Sequence, residues 1–252
     1  MNEALATPQL RSCDSIACEH CGIYRLCVPL GLGQADLTLL ERVVKRKQTF
    51  KRGEVLFRAG DRFDFVYAIR SGSAKTSICT DEGHVQVTGF YVAGDLLGLS
   101  ALASDRYTCE ATALETTSVC KLDAAQFQKV ASKIPSIQYQ MLRIMGNRIR
   151  DDEQVMLLLG RRSAEEKLAA YLISLSRRFA SRNYSPTRFR LSMSRGDIGN
   201  HLGIAEETVC RLLSRFQEEG LITAHRREIR LDDVARLTGL AHACPNDLRQ
   251  ER

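Results

Sequence analysis

The hydrophobic pattern changes character several times along the chain. Residues 2 to 29 show no regular periodicity and are rich in cysteine, which predicts an irregular segment organised by something other than an apolar core. Ala35 to Val44 then carries Leu37, Leu40, Val43 and Val44 at helical spacing and predicts a short helix. From Phe50 to about Leu122, short β-prone runs recur, among them Val55-Leu56-Phe57, Phe65 to Ile69 and Val85 to Phe90. Turn signals at Arg52-Gly53, Gly60-Asp61, Ser71-Gly72, Asp81-Glu82-Gly83 and Gly94-Asp95 separate them. Short, regularly punctuated strands predict a barrel or jelly roll.

Pro135 is placed to open a helix at its first turn, and no proline follows until Pro186. On this long predicted helix Leu142, Met145, Ile149, Asp152, Met156 and Leu159 alternate spacings of three and four, the seam of a two-stranded coiled coil. Periodicity alone fits equally well a face that packs on its own β-domain. Asp152 favours the seam: a carboxylate at a core position is desolvated beside its symmetry mate, so pairing there would be weak and adjustable.

The C-terminal part begins with Ser163-Ala164-Glu165-Glu166, a capping-box pattern that predicts a helix to about Phe179. Ser194 caps a second short helix through Leu202, Gly203 supplies a turn, and a third helix runs from about Ala205 to Gln217. Ile198, Leu202, Ile204, Val209, Leu212 and Leu213 would pack these helices as a helix-turn-helix. The solvent face of the last one presents Glu207, Cys210, Arg211, Ser214 and Arg215. Arg211 suits the O6 and N7 of guanine and Glu207 the N4 amine of cytosine. Leu221-Ile222 through Leu231 reads as a β-hairpin wing with Arg226 and Arg227 for phosphates.

Charge strengthens that reading. Residues 161–230 hold 14 Lys or Arg and 8 Asp or Glu, which accounts for the whole net charge of +6. A localised cationic region is what a phosphate-contacting surface requires. The 252 residues, 44% hydrophobic and 26% charged, fit two globular domains, and no apolar run approaches the roughly 20 residues of a membrane span. Met1 to Leu10 lacks a basic patch followed by an apolar run, so a cytoplasmic protein is expected. No glycine-rich dinucleotide fingerprint or catalytic constellation is present, which disfavours a redox enzyme or electron carrier.

In a reducing compartment, nine cysteines are read first as metal ligands or reactive thiols. Cys18, Cys21 and Cys27 form C-x2-C-x5-C, a spacing that lets three thiolates converge. Thiolates serve zinc and iron-sulfur clusters alike, and either site normally takes four protein ligands. Spacing does not choose between the metals. Cys13, Cys79, Cys109, Cys120, Cys210 and Cys244 remain as candidates for the fourth ligand.

These residues resemble the Crp/Fnr superfamily and, within it, the branch of the fumarate and nitrate reduction regulators, which sense oxygen in bacteria. The resemblance is carried by the N-terminal cysteine spacing, Thr88-Gly89-Phe90, Leu114 to Cys120, and the segments from Phe189-Arg190-Leu191 through Phe216-Gln217. It implies an α+β fold: a cluster-binding segment over residues 1–29, a jelly-roll β-roll sensor like cyclic-nucleotide-binding domains over 30–134, a dimerisation helix over 135–160, and a winged helix-turn-helix over 161–252. It also implies that Cys120 joins Cys18, Cys21 and Cys27 around a [4Fe-4S] cluster that favours the dimer and decays through [2Fe-2S] in oxygen. The expected target is a TTGAT-type inverted repeat in double-stranded promoter DNA. Asp152 matches a seam carboxylate that disfavours cluster-free dimers. Gly83 falls where the family offers a loop to the sigma factor of RNA polymerase, whose alpha subunit is a further expected partner.

Three departures stand out. The recognition helix reads Glu207-Thr208-Val209-Cys210-Arg211 where the family commonly has Glu-x-x-Ser-Arg, so a weaker thiol replaces a hydroxyl. His20 and Gly22 flank Cys21 in place of the residues usual at those positions. Leu99 follows Gly98 and Tyr107 follows Arg106, so the glutamate of a cyclic-nucleotide cassette is missing and no cyclic nucleotide is expected.

Overall fold

The computed structural model describes residues 18, 21, 27, 34–161 and 163–241. The expected N-terminal segment, its three cysteines apart, lies outside them. Helix α1 (Gln34–Val43) leads into a β-roll of two four-stranded antiparallel sheets. One has the order β1 (Val44–Phe50), β8 (Thr117–Asp123), β3 (Phe65–Ser71) and β6 (Leu96–Leu97). The other runs β2 (Val55–Phe57), β7 (Glu110–Ala113), β4 (Ser73–Cys79) and β5 (Val85–Val92). Alternating inward residues, including Phe50, Phe57, Val66, Ile69, Ala111, Val119 and Leu122, bury one core between the sheets. Strand β1 escapes the sequence pattern because Val44-Lys-Arg-Lys-Gln-Thr-Phe50 is too charged to read as a strand.

Aromatic rings pack around Tyr107, the residue that follows Arg106. Tyr107 is buried, stacks on Phe57 with centroids 3.9 Å apart, and meets Phe63 edge-on. Its hydroxyl donates to the Phe65 carbonyl at 2.6 Å and accepts from the Phe65 N–H at 3.3 Å. Arg106 turns outward and donates to the Gly60 carbonyl at 2.7 Å.

Asp123 caps the short α2 (Ala124–Ala131), and Pro135 opens α3 (Pro135–Arg161) as the proline spacing predicts. Ile137, Met141 and Leu158 bury the inner face of α3. Leu142, Met145, Ile149, Met156 and Leu159 do not pack on the β-roll: all are exposed, Leu142 by 67% and Met156 by 69%. The apolar row is therefore an outer face.

The predicted capping box forms, and the predicted cap at Ser194 proves to be a box as well. Ser163 starts α4 (Ala164–Ala180) with Glu166 returning the bond, and Ser194 starts α5 (Arg195–Leu202) with Asp197. Gly203 takes the left-handed conformation at φ 63°, and α6 (Glu206–Glu218) follows. Gly199 is needed for the turn as well, since a Cβ there would stand 2.6 Å from the Ile204 carbonyl. The wing is β10 (Ile222–His225) and β11 (Glu228–Leu231), joined by a third strand, β9 (Arg188–Arg190). Helix α7 (Val234–Leu240) closes the second core against α4. No helix among the described residues is long and apolar enough to cross a membrane.

Removing the Tyr107 hydroxyl strands two backbone groups in a largely apolar setting. Tyr107→Phe is expected to lower unfolding free energy by about 1–3 kcal/mol, read as a lower urea midpoint at unchanged slope.

Candidate DNA-reading face and thiol site

Helix α6 turns Val209, Leu212, Leu213 and Phe216 inward and leaves Glu207, Cys210, Arg211 and Ser214 exposed. All five predicted reading residues, Arg215 included, are exposed. Arg215 is exposed but engaged: its Nη1 and Nη2 meet the two carboxylate oxygens of Glu165 at 3.1 and 3.0 Å, and its Nε meets Glu219 at 2.7 Å. In this arrangement it ties α6 to the start of α4. The wing places Arg226 at its exposed tip, with φ 55°. Arg227 instead turns back to donate to the Ser192 carbonyl at 3.2 Å.

The first reader helix is docked on the β-roll. Strand β5 is the outer strand of its sheet, and α5 covers its open edge. The Asn200 side chain bridges that edge like a short strand, donating to the Val85 carbonyl at 2.6 Å and accepting from the Val87 N–H at 2.5 Å. Gln86 donates to the Asn200 carbonyl at 2.6 Å, and Lys75 pairs with Asp197 at 2.5 Å. Further along, Arg178 donates to the Phe90 carbonyl at 3.0 Å and reaches Asp95 at 2.6 Å, while Arg182 donates to the Ala93 carbonyl at 2.9 Å and also pairs with Asp95.

His201 sits in the middle of this joint. It is buried, lies edge-on to Phe90 and Tyr171, and has Nδ1 3.1 Å from the Val87 carbonyl, a contact that requires the Nδ1–H tautomer. Burial pushes its pKa below the ordinary 6.5, the Val87 carbonyl opposes this, and the charges of Arg148 and Arg178 add to it. Asp197 also lies below its ordinary value: burial acts the other way, but Lys75 and Ser194 outweigh it. Among the described residues the Tyr171 hydroxyl is the one buried side-chain nitrogen or oxygen with no hydrogen-bond partner.

Cys120 lies on β8 between two neighbours, opposite Lys47 of β1 and Ala68 of β3. Its flanking residue Val119 points into the roll, so Cys120 projects from the outer face, half-buried. Burial raises its pKa, the charge of Cys21 raises it further, and Arg70 and Lys47 pull it down. Cys27 packs against the same core as Cys120. Cys18 and Cys21 share a turn in which the Cys21 N–H donates to the Cys18 carbonyl at 3.1 Å. Among the described residues no three His, Cys, Asp or Glu are gathered to metal-holding separation. The donor chemistry nevertheless suits a soft metal or cluster: Cys18, Cys21, Cys27 and Cys120 are half-buried thiols, and Lys47 opposite Cys120 would offset thiolate charge. Of the other thiols, Cys79 and Cys210 are exposed, and Cys109 packs against the β-roll core.

The turn carrying Gly83 is closed by Thr80, whose N–H donates to the His84 carbonyl at 2.8 Å and whose carbonyl accepts from the Gly83 N–H at 2.9 Å. Gly83 is exposed at φ 83°. Asp152 is half-exposed on α3, with its Oδ1 2.8 Å from Arg148 Nη2.

A β-roll joined by a long helix to a winged helix-turn-helix with an open, partly cationic reading face defines a DNA-binding protein that carries a second, β-roll domain. Residues 47–133 match the cyclic nucleotide-binding domain family and residues 166–240 the Crp-like helix-turn-helix domain family. The chain is 43% identical over 235 residues to the transcriptional activator protein Anr of Pseudomonas aeruginosa, covering 93% of this chain and 96% of that one. It is 42% identical over 227 residues to the fumarate and nitrate reduction regulatory protein of Escherichia coli, covering 90% and 91%. The solved structure of FixK2 from Bradyrhizobium japonicum superposes with a TM-score of 0.72 at 28% identity, covering 79% of this chain and 98% of that one. The chain belongs to the Crp/Fnr family and is a transcription regulator, not an enzyme.

Because folded His201 resists protonation, the unfolded chain binds more protons below about pH 6.5 and the fold loses stability as pH falls. This one group contributes up to about 1.4 kcal/mol per pH unit until its depressed folded value is reached. His201→Phe keeps a ring in the cage without a titrating group, so its urea midpoint should fall less steeply on acidification. Equal slopes in the two proteins would assign the loss to other groups, Asp197 among them.

Proposed function

We propose that this regulator answers to oxygen through a [4Fe-4S] cluster held by Cys18, Cys21, Cys27 and Cys120. The observation that carries this reading is geometric: Cys120 stands half-buried on β8, and Cys27 of the N-terminal cysteine set packs against the same core. The name of the fumarate and nitrate reduction relative supports it. The cluster would supply an oxygen-labile crosslink between the N-terminal segment and the β-roll. Lys47 and Arg70 would offset part of the thiolate charge, and the chain divides as the sequence reading has it: 1–29, 30–134, 135–160 and 161–252.

The exposed row Leu142, Met145, Ile149, Met156 and Leu159, with Asp152 among them, is the seam on which a second copy docks when the cluster is present. Its spacing favours a second copy of the same helix over any other occupant, since heptad knobs need matching holes. The dimer would read a TTGAT-type inverted repeat, with Arg211 and Glu207 on base edges, Ser214 and the wing Arg226 nearer the backbone, and Cys210 contributing a thiol where a hydroxyl is usual. The Gly83 turn is the proposed contact for the sigma factor of RNA polymerase, whose alpha subunit is a second partner. Such a protein works in the cytoplasm, where promoter DNA is. The buried Tyr107 and outward Arg106 leave a cyclic nucleotide without its usual partners.

Purified without oxygen, the protein should be brown, contain iron and acid-labile sulfide, and bleach in air with loss of dimer. Cys120→Ala should not retain the cluster, and an intact cluster in that variant would shift the fourth ligand to Cys13 or Cys109. Colourless oxygen-free protein with stoichiometric zinc would replace this reading by a structural-zinc regulator. In the cluster-loaded form, Arg211→Ala should weaken binding to the inverted repeat by about 1–3 kcal/mol and relax selectivity at one base pair, measured by titration at fixed salt.

A further inference from the structure

Arg148 lies one helical turn before Asp152 on α3, and its guanidinium makes three contacts at once. Nη2 is 2.8 Å from Asp152 Oδ1, the guanidinium carbon stands 4.7 Å above the centre of the Tyr91 ring, and Nη2 fills the space beside Gly89. A Cβ on residue 89 would stand 2.8 Å from Nη2, so the glycine leaves the room that the cation occupies. Arg148 thus ties a carboxylate on the exposed apolar row to strand β5, the strand whose edge α5 grips through Asn200.

We propose that Arg148 is a positioning residue that sets the strength of the dimer seam. It neutralises Asp152 within each protomer and draws that carboxylate toward β5, away from its symmetry mate. Two unpaired carboxylates brought together along the row would repel, and desolvation would add to the cost. With Arg148 in place each protomer brings its own counter-charge, so the seam closes more readily than Asp152 alone would permit. The stacking on Tyr91 and the fit beside Gly89 keep the guanidinium from following other anions.

This inference rests on the seam proposed above, and the test separates the two. Dimer dissociation constants are measured by analytical ultracentrifugation on the full chain, with and without oxygen and at matched iron content. The proteins are wild type, Arg148→Gln, Arg148→Lys, Asp152→Ala, the Arg148→Gln/Asp152→Ala double variant and Ile149→Asp. Two cis pairs per dimer, each of ordinary exposed strength, predict about tenfold weaker dimerisation for Arg148→Gln, more at low salt than at high salt. Arg148→Lys should recover part of the loss, Asp152→Ala should tighten the dimer, and Arg148→Gln should add nothing once Asp152 is gone. Unchanged dimerisation in Arg148→Gln beside a tighter Asp152→Ala dimer overturns the role of Arg148 and leaves the seam standing. An equal loss in the Asp152→Ala background also overturns it, because the effect then runs through packing on Tyr91. Ile149→Asp dimers as tight as wild type would remove the seam itself, and this inference with it.

Discussion

A sheet edge cannot be left bare without cost, and in this chain the cover for one edge is the DNA-reading domain. Strand β5 is bonded to β4 on one side only, so the outward groups of Val85 and Val87 and the following carbonyls of Phe90 and Ala93 need other partners. All are met from the second domain: by the Asn200 amide and the His201 ring on α5, and by Arg178 and Arg182 at the end of α4. The backbone of the roll and the orientation of the reader are therefore settled by the same bonds. Any change that shifts β5 relative to β4 must either carry α5 with it or leave these groups unbonded.

The joint continues the buried core of the second domain onto the edge of the roll. Its apolar centre is small, built from Val87, Phe90 and Leu114 against the second domain, and its periphery is a ring of charged and amide groups. Inside it stands an unbonded Tyr171 hydroxyl, a group whose burial costs about 1–3 kcal/mol and which would regain a partner in water. A neutral histidine lies beside it, depressed by burial. An unbonded hydroxyl and an uncharged ring lower the net gain from burying this joint.

Local chemistry was readable in advance where it is enforced by neighbours in sequence. Ser163 and Ser194 cap the helices their motifs predict, Gly203 takes the required positive φ, and the threes and fours of α3 give an exposed apolar row. What escaped reading depends on partners far along the chain. Nothing near Asn200 signals that its amide will stand in for a missing strand, and nothing near Arg215 shows that Glu165, fifty residues earlier, will pair with it. The charged β1 is a strand because β8 beside it supplies the pairing that its own residues do not advertise. The cysteine spacing proposed a thiol centre, but the place of Cys120 opposite Lys47 became visible only once the strands were in register.

The docked reader also bears on how a dimer could measure DNA. Two helix-turn-helix units must present their recognition helices about 34 Å apart to meet successive turns of one face of the duplex. If each reader swung freely from the end of α3, that spacing would be set by the linker around residues 161–163 and would vary. Here each reader is held by its own β-roll, and Leu159, the last residue of the apolar row, has Cδ2 3.6 Å from where a side chain on Gly203 would begin. The row and the turn of the reader thus meet at one point. In a dimer closed along α3, the separation of the two α6 helices would follow from the register of the seam, and a slip of one heptad would displace the reading faces by about 10 Å. On the proposed seam, strength and register would be distinct demands on one helix: apolar knobs would define the register, while Asp152 and Arg148 would adjust how firmly it is held without moving it.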